Sequence, residues 1–189
     1  MGQINSNKDL LMLLLYSKGK TGNFYEPIVG KTRIVKMIFL FDKEIRRKFN
    51  LDRIIPDSIM PNFEPNDYGP FSSDVYRDLE FLVEMGFIEV QSVGDEEMLP
   101  DEIEEYEYWQ ATSGDIDQPF QVRFSLTELG KKYVEEKLRN EFNDQQLEAF
   151  NTFKERCVSA SLSSLLKYVY SRYPEQTTHS KIKDKVLGF

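Results

Sequence analysis

Cysteine, histidine and long apolar runs are all scarce in this chain of 189 residues. A single cysteine, Cys157, excludes an internal disulfide and suits a reducing compartment. A single histidine, His179, excludes a histidine-rich metal site and restricts any thiol–imidazole pair to Cys157 with His179. Cys157 falls in an amphipathic helical stretch, where a buried structural thiol is expected. The strongest apolar run, Leu10 to Tyr16, is far short of the roughly 18 residues that cross a bilayer. Asp9 at its edge and the lack of a small-residue cleavage site argue against a signal peptide. The expectation is a soluble cytoplasmic protein without membrane contact, cofactor or metal.

Basic charge is also short overall: the net charge is −8 and the pI about 4.9, which does not suit a general nucleic-acid coat. The deficit is local. Residues 1–56 hold eleven Lys and Arg against five Asp and Glu, residues 57–130 two against nineteen, and residues 131–189 eleven against eight. Apolar residues, at 40%, are plentiful enough for a core.

The stretch from Asn66 to Val90 organises the rest. Gly69-Pro70 marks a turn, Ser72 is placed to cap a helix from Ser73, and Val75, Leu79, Leu82 and Val83 recur at helical spacing. Gly86 supplies the stop, and Phe87, Ile88 and Val90 begin a strand over 87–91. Downstream, residues 120–126 alternate apolar and polar, and Thr127 caps the next helix. The spacing predicts an antiparallel wing beside a third helix. The fold class expected is mainly α with a small antiparallel β-wing: a winged helix-turn-helix core plus C-terminal helices.

Earlier in the chain, residues 7–18 read as a helix apolar on nearly every side and 19–30 as a loop. Gly30-Lys31-Thr32 resembles the end of a phosphate-binding loop. However, Tyr25 stands where that loop needs glycine and no strand is expected before it, so a helix start is read instead. The second helix, about 32–48, places Ile34, Ile38, Phe41 and Ile45 on one face, with Lys36, Lys43 and Arg47 opposite. Four prolines make 51–70 a connecting loop. Further helices are expected over 143–159, from Leu162 to Tyr173, and from Lys181 to Leu187. Residues 1–139 form one domain with an acidic wing insert (92–119), and residues 140–189 a helical extension packed on it.

The insert is the most acidic part of the chain. Glu102, Glu104, Glu105 and Glu107 alternate with Tyr106, Tyr108 and Trp109, and Leu99, Ile103 and Tyr106 fit one face of a short helix after Pro100. Such a segment either folds against its own domain or docks on a basic partner with its aromatics as anchors. Nucleic acid, if bound, would have to meet Lys36, Lys43 and Arg47 or the tail lysines Lys181, Lys183 and Lys185. The outward positions of the helix over 73–86 include Asp74, Arg77, Asp78, Glu80 and Glu84, and phosphates would repel its four carboxylates.

Several blocks together resemble the Panacea domain of SocA-like antitoxins and the related YwgA-like bacterial and archaeal proteins. They are Lys31-Thr-Arg-Ile-Val-Lys-Met-Ile-Phe-Leu40, Tyr68-Gly-Pro-Phe-Ser72, Leu126-Thr-x-x-Gly130, and Tyr168-Val-Tyr-Ser-Arg-Tyr-Pro-Glu175 followed by Thr178 and Ser180. The resemblance implies a winged-helix-like fold and partner binding in toxin neutralisation or defence, rather than catalysis. The function expected is a non-enzymatic protein-interaction module whose partner is a toxin or defence protein. A DNA-binding regulator using the helix 32–48 and the wing is the alternative, and homodimerisation is compatible with either.

Overall fold

The computed structural model describes residues 4–94, 97–114 and 121–189. Within them the chain is mainly helical, with a three-stranded antiparallel sheet and a two-stranded hairpin. No described helix is long and apolar enough to cross a membrane.

Helix α1 (Asn7–Tyr16) runs through the middle of the core, and Leu10 to Leu15 are all buried. An evenly apolar helix is stable in water only when neighbours cover it on every side. Asp9 shares that burial, which pushes its carboxyl upward, although the Asn5 amide donates to it at 2.8 Å. Helix α2 (Lys31–Leu40) continues through a π-helical turn, Phe41–Ile45. Arg33 and Lys36 are as buried as Ile34 and Ile38, so α2 has no solvated basic face.

Strand β1 (Ile28–Val29) directly precedes α2, inside the stretch expected to be loop. A strand therefore does precede Gly30. A single residue links the two elements, with the Gly30 amide held by Val122 O at 2.8 Å, so no phosphate-cradling loop exists there. The hairpin β2 (Glu64–Asn66) and β3 (Gly69–Phe71) also lies within an expected loop. Pro65 faces Pro70 in it, tolerable because a two-stranded ribbon leaves many amides unpaired. Gly69 turns at φ +82°, and a Cβ there would stand 2.8 Å from the Tyr170 ring.

Helix α3 (Ser73–Glu84) buries Val75, Leu79 and Leu82, whereas Val83 is exposed and off the buried stripe. Ser72 occupies the N-cap position without capping, and its buried hydroxyl has no partner among the described residues. Gly86, at φ +76°, ends the helix. Strand β4 (Ile88–Val93) pairs antiparallel with β5 (Gln121–Leu126), from Ile88 opposite Leu126 to Val93 opposite Gln121, and β1 joins the other edge of β5. Phe120 of the expected strand lies outside the described residues.

Thr127 caps α5 (Glu128–Tyr133) by accepting from the Gly130 amide at 3.1 Å. Helix α6 (Asp144–Ser159) starts at a reciprocal Asn143–Gln146 capping box. Helix α7 (Leu162–Arg172) ends before Pro174, and α8 (Lys183–Leu187) is the last element. One hydrophobic cluster joins α1, α2 and the sheet to Phe150, Phe153, Leu166 and Val169 of α6 and α7.

Candidate functional site

The insert carries helix α4 (Pro100–Ser113), which turns its acids inward. Glu102 closes the first turn onto the Leu99 amide at 2.8 Å and receives the Arg123 Nε at 2.7 Å. Burial raises the Glu102 carboxyl, but Arg123 and the Leu99 amide outweigh it and hold the group below its ordinary range. One turn on, Glu105 pairs with Arg33 and accepts from the Leu162 amide at 3.0 Å. There burial wins over Arg33 and the carboxyl is raised. Arg33 spends its remaining donors on the carbonyls of Cys157 and Ala160. Trp109 meets Tyr68 edge-on at 5.1 Å between ring centres.

The expected docking face of the insert is therefore divided. Glu102 and Glu105 are spent on internal ion pairs, and Tyr106, Tyr108 and Trp109 are half-buried against the body. Glu104 and Glu107 stay exposed, with Ile103 and Leu99 (57% exposed) beside them. Glu102 is buried, Glu105 is half-buried and both are shifted, so this side of the insert folds against its own domain, one of the two alternatives open from the sequence.

The candidate nucleic-acid residues do not form one surface. Lys36 is only 2% exposed and donates to Tyr68 O at 2.6 Å and Pro70 O at 2.8 Å, so it cannot reach a phosphate backbone. Lys43 and Arg47 are exposed but lie 3.9 Å from Asp42 and 3.8 Å from Asp57. Lys181 pairs with Asp67 at 2.7 Å, Lys185 reaches Ala111 O and Thr112 O of α4, and Lys183 is half-exposed. Cys157 is buried, which pushes its thiol up to about 12 although Arg33 opposes the shift. Such a thiol supplies no nucleophilic thiolate near neutrality. Among the described residues no cluster of His, Cys, Asp and Glu has a metal-binding arrangement.

A surface that the sequence pattern missed lies on α3. Phe81 (44% exposed) and Met85 (53%) stand one helical turn apart, with Val83, Glu80 and Glu84 around them and the Lys8 amine 5.0 Å from the Phe81 ring centre. The Thr127 hydroxyl donates to Gly86 O and brings the exposed Leu129 to the same end of α3. The signal was present, because Phe81 and Met85 are spaced i, i+4 away from the Val75–Leu79–Leu82 stripe.

In comparisons with protein families, with curated proteins and with solved structures, nothing matches this chain. The site is therefore defined by its own geometry.

A cleft of about 370 Å³ opens below α4, between the start of α2, strands β4 and β5, and the β2–β3 hairpin. A second pocket of about 210 Å³ adjoins it, and Thr32, Tyr68 and Tyr76 line both. Lys36 lines the smaller one.

Proposed function

We propose that this chain is a non-enzymatic protein-interaction module of winged-helix type, antitoxin- or defence-adaptor-like, whose partner presents a basic and partly apolar surface. The observation that carries the reading is the outward side of α3. In a winged helix this is the element that would enter a DNA groove. Here it offers Phe81, Val83 and Met85 among Glu80 and Glu84. Large exposed apolar side chains rimmed by charge mark protein-contact surfaces, whereas a groove-reading helix needs cationic or amide side chains close to phosphates.

Two further observations support the reading. The exposed strip of α4 and its N-cap residue, with Leu99, Ile103, Glu104 and Glu107, repeats the acidic-apolar chemistry on a helix held by its two ion pairs. Three of the four blocks that resemble the Panacea domain also meet in space. Lys36 holds the Tyr68 and Pro70 carbonyls, the Tyr170 ring packs on Gly69, and Ser180 bonds both the Tyr170 hydroxyl (2.7 Å) and Asp67 O (3.2 Å). DNA binding is disfavoured by the withdrawal of Lys36 into the core.

Recovery of partners from the native host by wild type, by a Phe81→Asp/Met85→Asp variant and by a Glu104→Lys/Glu107→Lys variant tests the proposal. The α3 variant should lose a partner that wild type retains, because an anchor truncated in a desolvated patch costs about 2 kcal/mol or more. Equal recovery by all three proteins would refute the assignment of these faces.

A further inference from the structure

Two buried lysines sit in contrasting surroundings. Lys154 Nζ donates to three carbonyls, Leu15 O at 2.9 Å, Ser17 O at 2.8 Å and Glu26 O at 2.7 Å. An ammonium has three N–H groups, so Lys154 is complete. Lys36 has two acceptors among the described residues and lines the 210 Å³ pocket. In its ammonium form Lys36 therefore keeps one donor position for an occupant of that pocket, and an anion there would favour that form.

The surrounding charges do not neutralise it. Asp67 pairs with Lys181, and Glu105 pairs with Arg33. Lys31 lines the larger cleft and lies over the ring of Tyr76, which lines both pockets, at 5.2 Å, with no carboxylate partner among the described residues. The amides of Lys31 and Thr32, in the first turn of α2, likewise have no acceptor there. Tyr68 and Trp109 supply flat apolar walls on the side of the larger cleft. The cleft thus combines a positive end with an aromatic end, inside a chain of net charge −8. Its volume falls in the range of small-molecule sites, which are mostly apolar with a few convergent polar groups.

We propose that this cleft and the pocket adjoining it together bind a small planar anion, its ring against Trp109 and Tyr68 in the cleft and its carboxylate or phosphate turned past Lys31 towards Lys36 of the smaller pocket. The inference goes beyond the protein-binding reading and does not depend on it. Aromatic carboxylates and nucleoside monophosphates share the required chemistry, a flat ring with one anionic group.

Trp109 is the only tryptophan in the chain, so its fluorescence reports on the cleft directly. The purified full chain is titrated with benzoate and AMP, and with the half-ligands adenosine and inorganic phosphate. A saturable change with benzoate or AMP is expected, with each half-ligand weaker by about tenfold or more. Whichever of the two saturates at lower concentration identifies the anion as carboxylate or phosphate. Lys31→Glu, at the half-exposed rim, should weaken binding about tenfold while the melting curve is kept. Lys137→Glu, far from the cleft lining, should leave binding unchanged. Lys36→Met removes the buried donor, and where that variant does not fold, Lys31→Glu decides alone. No saturable change up to about 10 mM of either probe, adenosine binding as tightly as AMP, or Lys31→Glu without effect would each overturn the proposal.

Discussion

Lys154 carries a charged group into the core between α1 and α6, and the three carbonyls around it explain how the fold tolerates this. Burial still dominates and lowers its amine to about 7, with Glu26 opposing the shift; burial alone brings Lys36 to about 7. Both are ordinary lysines near 10.5 once the chain unfolds. Between those values the unfolded chain holds protons that the folded chain has released, so stability should rise with pH from about 7 towards 9.5. The slope limit is ~1.4 kcal/mol per pH unit for each lysine. Below pH 7 both states are protonated and this contribution is flat. Urea midpoints at pH 7 and pH 9 measure the effect. Lys154→Met should lower stability at both values, because three carbonyls lose their donor, and should reduce the rise between them. An undiminished rise in that variant would mean that Lys154 does not titrate in this window. In the apolar core, Leu79→Ala or Leu82→Ala should cost about 2–5 kcal/mol, since both side chains are fully buried on α3.

Helix α4 shows how an acidic insert becomes part of a fold. Its first turns are fixed by Glu102 with Arg123 and by Glu105 with Arg33, pairs separated by 21 and 72 residues in the chain. Glu102→Ala should cost about 1–3 kcal/mol, because it strips the half-buried Arg123 and the Leu99 amide of their acceptor. Amide exchange should then speed up across α4 while the paired β4 and β5 stay protected; unchanged exchange in α4 would show that the ion pairs do not hold it. The pairing of β4 with β5 is legible because β5 alternates apolar and polar residues along its length, apolar residues follow Gly86 at once, and glycine and threonine mark the neighbouring helix ends. Strand β1 and the β2–β3 hairpin are two and three residues long, too short for any period to appear. The inward face of α4 was misread for a different reason. Apolar spacing pointed to Leu99, Ile103 and Tyr106, but the contacts that orient the helix are charges whose partners lie far off in sequence. Lys36 reads as lying opposite the apolar face and free for phosphate, yet it is buried because α2 is covered on both sides by elements that its own sequence does not reveal.

At the scale of the whole molecule, the uneven charge along the chain is partly cancelled inside it. Arg33, Arg123 and Lys181, two of them from the basic ends, pair with Glu105, Glu102 and Asp67 of the acidic middle. What remains outside on α3 and α4 is acidic and apolar, and on this ground random duplex DNA should bind no tighter than about 10⁻⁶ M at physiological salt. A salt-series titration reads this, and sub-micromolar binding lost on Lys43→Glu/Arg47→Glu would revive the nucleic-acid alternative. The most direct test of the protein-binding account places a photo-crosslinking residue at position 81 or 85 on α3, at 103 on α4, and at the exposed control position 137. The proteins are irradiated in the native host and the adducts identified. The account predicts one partner captured from 81 and 85, with capture abolished by Glu80→Lys/Glu84→Lys and absent at 137. Capture that is equal at all positions, or found only at 137, would contradict it.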